Sequence, residues 1–173
     1  MKIFILAATT ADGYVARGTS HLAHAWTTYE DKRLFTWLTK WAKVIIVGHS
    51  TYRTFERPFA DRRIIVYTRG PEPKDKGLAE HVEFTAEPPE ALLKRLESEG
   101  VTGVAICGGP QIYDLFMQTG LVHDFYLTIQ PAFFGTGMKL FDHELDTRLK
   151  LDEAQISTKD DTVILHYIED TNP

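Results

Sequence analysis

The run from Gly103 to Phe116, GVAICGGPQIYDLF, constrains this chain more than any other stretch, because it reads as a buried strand, a glycine turn and a helix start in succession. Val104 to Ile106 form a short apolar run, and Gly108 and Gly109 let the backbone turn or approach a ligand closely. Pro110 suits the first turn of a helix, and Ile112, Leu115 and Phe116 follow at helical spacing. A helix opening from the carboxyl end of a central strand presents N–H groups and the positive end of its dipole, a setting that suits a phosphate. The same pattern also serves a plain strand-to-helix connection.

The remaining elements repeat this plan. Ile3 to Ala8 are almost continuously apolar, as in a strand covered on both faces, and Ala11-Asp12-Gly13-Tyr14 supplies a turn; residues 15–25 read as loop. Leu34, Leu38 and Trp41, widened by Phe35 and Trp37, predict a helix from about Tyr29 to Ala42, with Thr27/Glu30 or Thr28/Asp31 as its capping box. Val44 to Gly48 predict a second buried strand, and His49-Ser50-Thr51 leads into a short helix carrying Tyr52 and Phe55 that Pro58 ends. A third strand, Ile64 to Thr68, is closed by Arg69-Gly70-Pro71 and a polar loop to Gly77. Val82 to Phe84 alternate like a short strand, and a helix opens at Pro88 or Pro89 and runs through Leu92, Leu93 and Leu96 to Gly100.

Beyond the glycine turn, Leu121-Val122 and Phe125 to Ile129 predict another strand, and Phe133 to Lys139 a loop or bulge. Leu149 to Ile156 and Thr162 to Ile168 form a closing antiparallel hairpin around Lys159-Asp160-Asp161. Strand–helix units followed by a hairpin imply a three-layer α/β domain, one domain over residues 1–173, whose sheet is mostly parallel with antiparallel edge strands.

At 173 residues the chain is long enough to bury a core without staples, and its net charge of -5 argues against general nucleic-acid binding. The single cysteine, Cys107, falls in a predicted strand and reads as a small core residue, which together with the absence of an internal disulfide fits a reducing compartment. The apolar N-terminus meets Asp12-Gly13 directly and reads as a first strand, not a signal peptide; no stretch reaches membrane-spanning length, so a soluble cytoplasmic protein is expected. His21 and His24 have neither a nearby cysteine nor a clear third ligand, so no metal site is expected. Trp26, Trp37 and Trp41 read as core or interface residues, Trp26 also as a flank of a cleft.

Three glycine-bearing turns follow predicted strands, at Asp12-Gly13, Gly48-His49-Ser50-Thr51 and Gly108-Gly109, and their succession places a cleft along one sheet edge. Together with Asp12-Gly13-Tyr14-Val15-Ala16, Val47 to Tyr52, Cys107 to Tyr113 and Leu121 to Thr128, they make the chain resemble the dihydrofolate reductase-like superfamily over nearly its full length. The likeness is greatest to the reductase domain of bifunctional riboflavin-biosynthesis proteins, without their deaminase zinc signature.

That resemblance implies a three-layer α/β/α dihydrofolate reductase-like fold with a C-terminal antiparallel hairpin, and NADPH lying across the sheet. By matching positions, Gly108, Gly109, Gln111 and Ile112 would hold the pyrophosphate, and Gly48, Ser50 and Thr51 the second phosphate region. Thr68 and Arg69 would read the adenosine ribose and its 2′-phosphate, and His49 stands where many relatives carry a basic residue. Ala7 and Ala8 would lie against the nicotinamide or substrate ring with Thr128 nearby, while Trp26 and Phe35 would flank the substrate.

Asp31 matches the acidic residue of folate-reducing members. There it would assist protonation of a reduced C=N bond, directly or through water, though it also suits a helix start for reasons of capping alone. Arg62 falls where those enzymes hold a glutamate tail, and equally reads as a solvated loop charge. The implied activity is NADPH-dependent hydride transfer to a small heterocycle of the 5-amino-6-(5-phosphoribosylamino)uracil type. Dihydrofolate reduction and a nucleotide-binding module without turnover are the alternatives, and the relatives imply a homodimer.

Overall fold

The computed structural model describes residues 1–55, 59, 61–70 and 81–170. Its elements in chain order are β1 (Lys2–Thr10), β2 (Tyr14–Ala16), α1 (Tyr29–Ala42), β3 (Lys43–Gly48), α2 (His49–Tyr52), β4 (Arg63–Tyr67) and β5 (Val82–Thr85). They continue with α3 (Pro89–Ser98), β6 (Gly103–Ile106), α4 (Pro110–Met117), β7 (Asp124–Gln130), β8 (Met138–Lys139), β9 (Leu149–Ile156) and β10 (Val163–Glu169). Eight strands form one sheet in the order β5-β4-β3-β6-β1-β7-β10-β9. The pairs from β5 to β7 are parallel; β10 runs antiparallel to both β7 and β9.

The apolar runs of β1, β3, β4 and β6 serve both faces of this sheet. Ile5, Ile46, Ile65 and Ile106 pack with Leu92, Leu96 and Phe116 of α3 and α4. Their neighbours Phe4, Ile45, Ile64 and Ala105 pack with Leu38 and Ala42 of α1. Alternation along a strand sends successive side chains to opposite faces, so a strand covered on both sides must be apolar throughout. At the outer end of β4 and β5, Arg95 joins Glu83, Glu87 and Glu99, and Arg63 joins Glu83 and Glu99, which ties α3 to the sheet edge.

The structure departs from the sequence expectations at several points. Tyr14, expected in the turn, and residues 15–16, expected as loop, form β2 and pair with β8 at Tyr14–Lys139 and Ala16–Met138, so the stretch expected as loop or bulge also supplies a strand. The pairing is fixed by tertiary contacts: the Asp12 carboxylate accepts the N–H groups of Phe134 and Gly135 (2.7 Å to the latter) and the Thr10 hydroxyl. No local period marks a strand that short. Leu121 and Val122 precede β7 instead of starting it; Val122 is apolar because it is buried. Trp37 is 63% exposed and is not a core residue. Pro58, expected to end α2, and the loop 71–77 lie outside the described residues.

The helix α1 is capped by Thr28, not Thr27: Thr28 Oγ1 accepts the Asp31 N–H at 3.4 Å. The reciprocal half of the capping box is missing. The Thr28 N–H donates to Gln130 Oε1 at 2.9 Å, which leaves the Asp31 carboxylate available for another task.

Candidate active site

A cleft of about 930 Å³ opens at the carboxyl ends of β1, β3 and β6. Its floor is two glycine turns pressed together: the Gly48 N–H donates to the Gly108 carbonyl at 2.7 Å. A Cβ on Gly48 would lie 3.1 Å from Ile112 Cγ1, one on Gly109 3.3 Å from Thr51 Oγ1, and one on Gly108 2.9 Å from the Tyr113 hydroxyl. Gly108 also has φ +98°, and its peptide bond to Gly109 is cis. Side chains at this crossing would fill the floor, so backbone is what faces the cleft.

Both helices leaving the floor start without a side-chain cap, α2 at Gly48 and α4 at Gly109, and neither has an acidic residue in its first turn. The first N–H groups of a helix lack partners within it and carry partial positive charge. His49, Ser50 and Thr51 line the cleft beside them, as do Gln111 and Ile112. Thr68 and Arg69 leave the end of β4 on the same wall, where Arg69 Nη2 donates to Gln111 Oε1 at 3.5 Å. These residues fit a dinucleotide carrying a pyrophosphate: glycine floor, uncapped helix ends and one arginine at the rim.

The opposite end is formed by Ala7 and Ala8 of β1, Trp26, Phe35 and Asp31. Thr128 is fully buried and donates its hydroxyl to Asp31 Oδ1 at 2.5 Å, so it acts on the carboxyl from behind and does not line the cleft. Gly108 likewise stands behind the wall. Burial pushes the Asp31 carboxyl above the usual carboxylate range; the Thr128 and Thr27 hydroxyls and the Lys32 charge pull it back, and the Asp160 charge pushes it further up. A partly buried acid held by a hydroxyl at the cleft wall is equipped to keep a proton and deliver it to a ligand.

Arg62 is placed differently from both readings of the sequence. It is 7% exposed, so it is not a solvated loop charge, and it does not line the cleft. Its Nη1 donates to Thr39 Oγ1 at 2.5 Å, its Nε to Asp61 Oδ1 at 3.0 Å, and its guanidinium lies 4.2 Å over the Phe59 ring. Arg62→Leu is therefore expected to cost about 1–3 kcal/mol of stability while leaving nicotinamide-nucleotide affinity within about twofold, as urea unfolding and a binding titration would show.

Sequence reasoning missed two groups that shape the site. Tyr113, 5% exposed, donates its hydroxyl to the Leu6 carbonyl at 3.0 Å and wedges the glycine turn against β1. Phe134 meets Trp26 edge-on at 5.1 Å and His21 at 5.3 Å, closing a small aromatic cluster over the cleft. No local signal announces contacts between residues more than a hundred positions apart. Cys107 is buried and its thiol is pushed up by that burial, as a core residue should be. Among the described residues no group of three or more His, Cys, Asp or Glu side chains is arranged to hold a metal, and no helix is long and apolar enough to cross a membrane.

A mostly parallel sheet closed by an antiparallel hairpin, with a glycine-floored cleft at its strand ends, defines the dihydrofolate reductase-like α/β fold. Residues 1–165 match the model of the RibD C-terminal domain, and the chain belongs to that family. It is 33% identical over 129 residues, 72% of each chain, to the uncharacterised protein YwjB of Bacillus subtilis strain 168. Two solved structures share the fold. One is a pyrimidine reductase-like protein from Corynebacterium diphtheriae, with TM-score 0.78 and 18% identity over 99% of this chain and 92% of that one. The other is the diaminohydroxyphosphoribosylaminopyrimidine deaminase/5-amino-6-(5-phosphoribosylamino)uracil reductase of Thermotoga maritima, with TM-score 0.74 and 16% identity, of which this chain spans 56% while 98% of it is covered. The architecture is thus that of the riboflavin-biosynthesis reductases.

Proposed function

We propose that this protein is an NADPH-dependent reductase that transfers hydride to a small heterocyclic substrate, in the manner of the riboflavin-biosynthesis reductases. The observation that carries the reading is the pairing, in one cleft, of two uncapped helix N-termini on a glycine floor with a buried carboxyl at the other end. Gly48, Ser50, Thr51, Gly109, Gln111 and Ile112 would hold the pyrophosphate, and Thr68 and Arg69 the 2′-phosphate end. A nicotinamide held there would supply a hydride, that is one hydrogen nucleus carrying two electrons, for reduction of a C=N bond. The substrate nitrogen then needs one proton, which Asp31 supplies directly or through water. Thr128 orients that carboxyl, while Ala7 and Ala8 leave room for flat rings beside it.

The test is a titration of the protein with NADPH and with NADH, read by nicotinamide fluorescence and by thermal shift, since a ligand that binds the folded state raises its apparent stability. Micromolar NADPH binding with weaker NADH binding is the expected result; absence of binding by either overturns the reading. Arg69→Gln should weaken NADPH by about tenfold and leave NADH unchanged, because a guanidinium favours the extra phosphate alone.

A further inference from the structure

The start of α1 is assembled from three separate parts of the chain. Thr28 Oγ1 accepts the Asp31 N–H, Gln130 Oε1 of β7 accepts the Thr28 N–H at 2.9 Å, and Asp160 Oδ2, in the turn between β9 and β10, accepts the Glu30 N–H at 2.9 Å. The turn is fastened a second time where Thr162 Oγ1, on a fully buried residue, meets Thr28 Oγ1 at 2.5 Å. Asp160 is held in place by that same turn, its Oδ1 accepting the Thr162 N–H at 3.4 Å. An acid at the third helical position, where Asp31 stands, can bend back onto the N–H of the capping residue. Here that donor is taken by Gln130, and Asp160 takes another.

The Asp31 carboxyl therefore reaches the other way, to the Thr128 hydroxyl and the cleft wall. It still stands in the first turn of a helix, where the partial positive charge of the N–H groups draws the proton off a carboxyl. Asp160 opposes that pull twice, since it takes one of those N–H groups and brings a negative charge from outside the helix. Burial is the largest influence on the Asp31 carboxyl, and Asp160 acts in the same direction. Against the upward push of burial, the Glu30 N–H and the Ser157 and Thr162 hydroxyls hold the Asp160 carboxyl below its usual range, so it stays charged where Asp31 titrates. Among the described residues the other groups bearing on Asp31 are the Lys32 charge on its own helix, the Thr27 and Thr128 hydroxyls, and the Tyr113 phenol of α4.

We propose that Asp160 is a positioning residue for the acid of this site, which makes the closing hairpin a working part of the site although its turn does not line the cleft. The inference rests on the reductase reading, in which Asp31 gives up the proton, and adds a residue to it. Asp160 acts through α1 and not on a ligand. By holding the Glu30 N–H, as Gln130 holds that of Thr28, it leaves Asp31 turned toward Thr128 and the cleft. Its charge at the same time favours the protonated form of an acid that has a proton to donate.

Two variants separate the parts of this role. Asp160→Asn keeps an oxygen for the Glu30 N–H and removes the charge, whereas Asp160→Ala removes both. The experiment follows the side-chain carboxyl carbon of Asp31 by carbon-13 NMR against pH, its resonance identified by its loss in Asp31→Asn, with urea unfolding alongside. In both Asp160 variants the Asp31 titration should move to lower pH than in the wild type; Asp160→Asn should unfold near the wild-type urea midpoint and Asp160→Ala below it. A titration that is unmoved, or moves upward, in Asp160→Asn overturns the proposal and leaves Asp160 a helix cap alone. Turnover gives a second readout: with NADPH and 5-amino-6-(5-phosphoribosylamino)uracil, the decline in rate at high pH should begin at lower pH in Asp160→Asn, while NADPH affinity stays within about twofold of the wild type. A moved titration in a protein that binds no NADPH overturns the reductase reading and leaves the coupling of Asp160 to Asp31 standing. NADPH binding with an unmoved titration does the reverse.

Discussion

Asp31→Asn is expected to lower the rate of hydride transfer by about 10²–10⁴ while leaving NADPH affinity within about twofold, and to make the folded protein more stable at neutral pH. The rate falls because an amide cannot give up a proton to the reduced nitrogen. Affinity holds because Asp31 lies at the α1 end of the cleft, away from the glycine floor. The stability change follows from the upward shift of the carboxyl. A group whose folded-state pKa lies above its unfolded value contributes stability that is complete below the unfolded pKa and is lost as pH rises through the folded one. In acid the wild type and the variant should therefore unfold at similar denaturant concentrations; above the raised pKa of Asp31 the variant should pull ahead, because it has no buried charge to solvate. Urea unfolding at a series of pH values reads this directly. A variant that loses stability at neutral pH would show that the Thr128 hydrogen bond outweighs the desolvation of the carboxylate. The wild-type rate should also decline as pH rises through the same raised pKa, and the variant's residual rate should lack that limb.

Gly108→Ala is expected to lower stability by about 2–4 kcal/mol, the sum of left-handed backbone strain and overpacking against a fixed ring. At φ +98° an L side chain is strained wherever it points, and here its Cβ would stand 2.9 Å from the hydroxyl of Tyr113. That ring cannot step aside freely: it is 5% exposed and bonded to the Leu6 carbonyl. The displacement would carry into β1 and into the Gly108 carbonyl that receives the Gly48 N–H, so nicotinamide-nucleotide binding should fall with stability. Gly108→Ala combined with Tyr113→Phe, which removes the clashing oxygen, should recover part of the lost stability, though not the share due to φ. Denaturant midpoints of the wild type, both single variants and the double variant separate the two contributions.

The extent to which the site was legible varied with how local its causes are. Ala7, Ala8, Trp26, Phe35, Gly48, Thr68, Gly109 and Gln111 were expected at the site chiefly because the motifs around them resemble those of a known superfamily, and the structure brings all of them to one cleft. Thr128 was expected at the cofactor and lies instead behind Asp31. Its alternation in β7 says which face it takes but not what crosses over that face. Arg62 shows the same limit from another side, since a charged pair in a polar stretch reads as surface until Thr39, Asp61 and Phe59 close around it.

The sequence by itself determined the strand–helix alternation, the uncapped glycine starts of α2 and α4, and the amphipathic face of α1, because each depends on neighbours within one or two turns of chain. Tertiary structure alone decided that the Asp31 carboxyl would leave its capping box for Thr128, that Asp160 would answer the N-terminus of α1 from the closing hairpin, and that Phe134 would lean on Trp26. The physical reason is range. Backbone geometry and helix caps are settled by adjacent residues, whereas the protonation of a buried acid and the charge of a cleft are set by groups about a hundred positions away in sequence that only the folded chain brings within hydrogen-bonding reach.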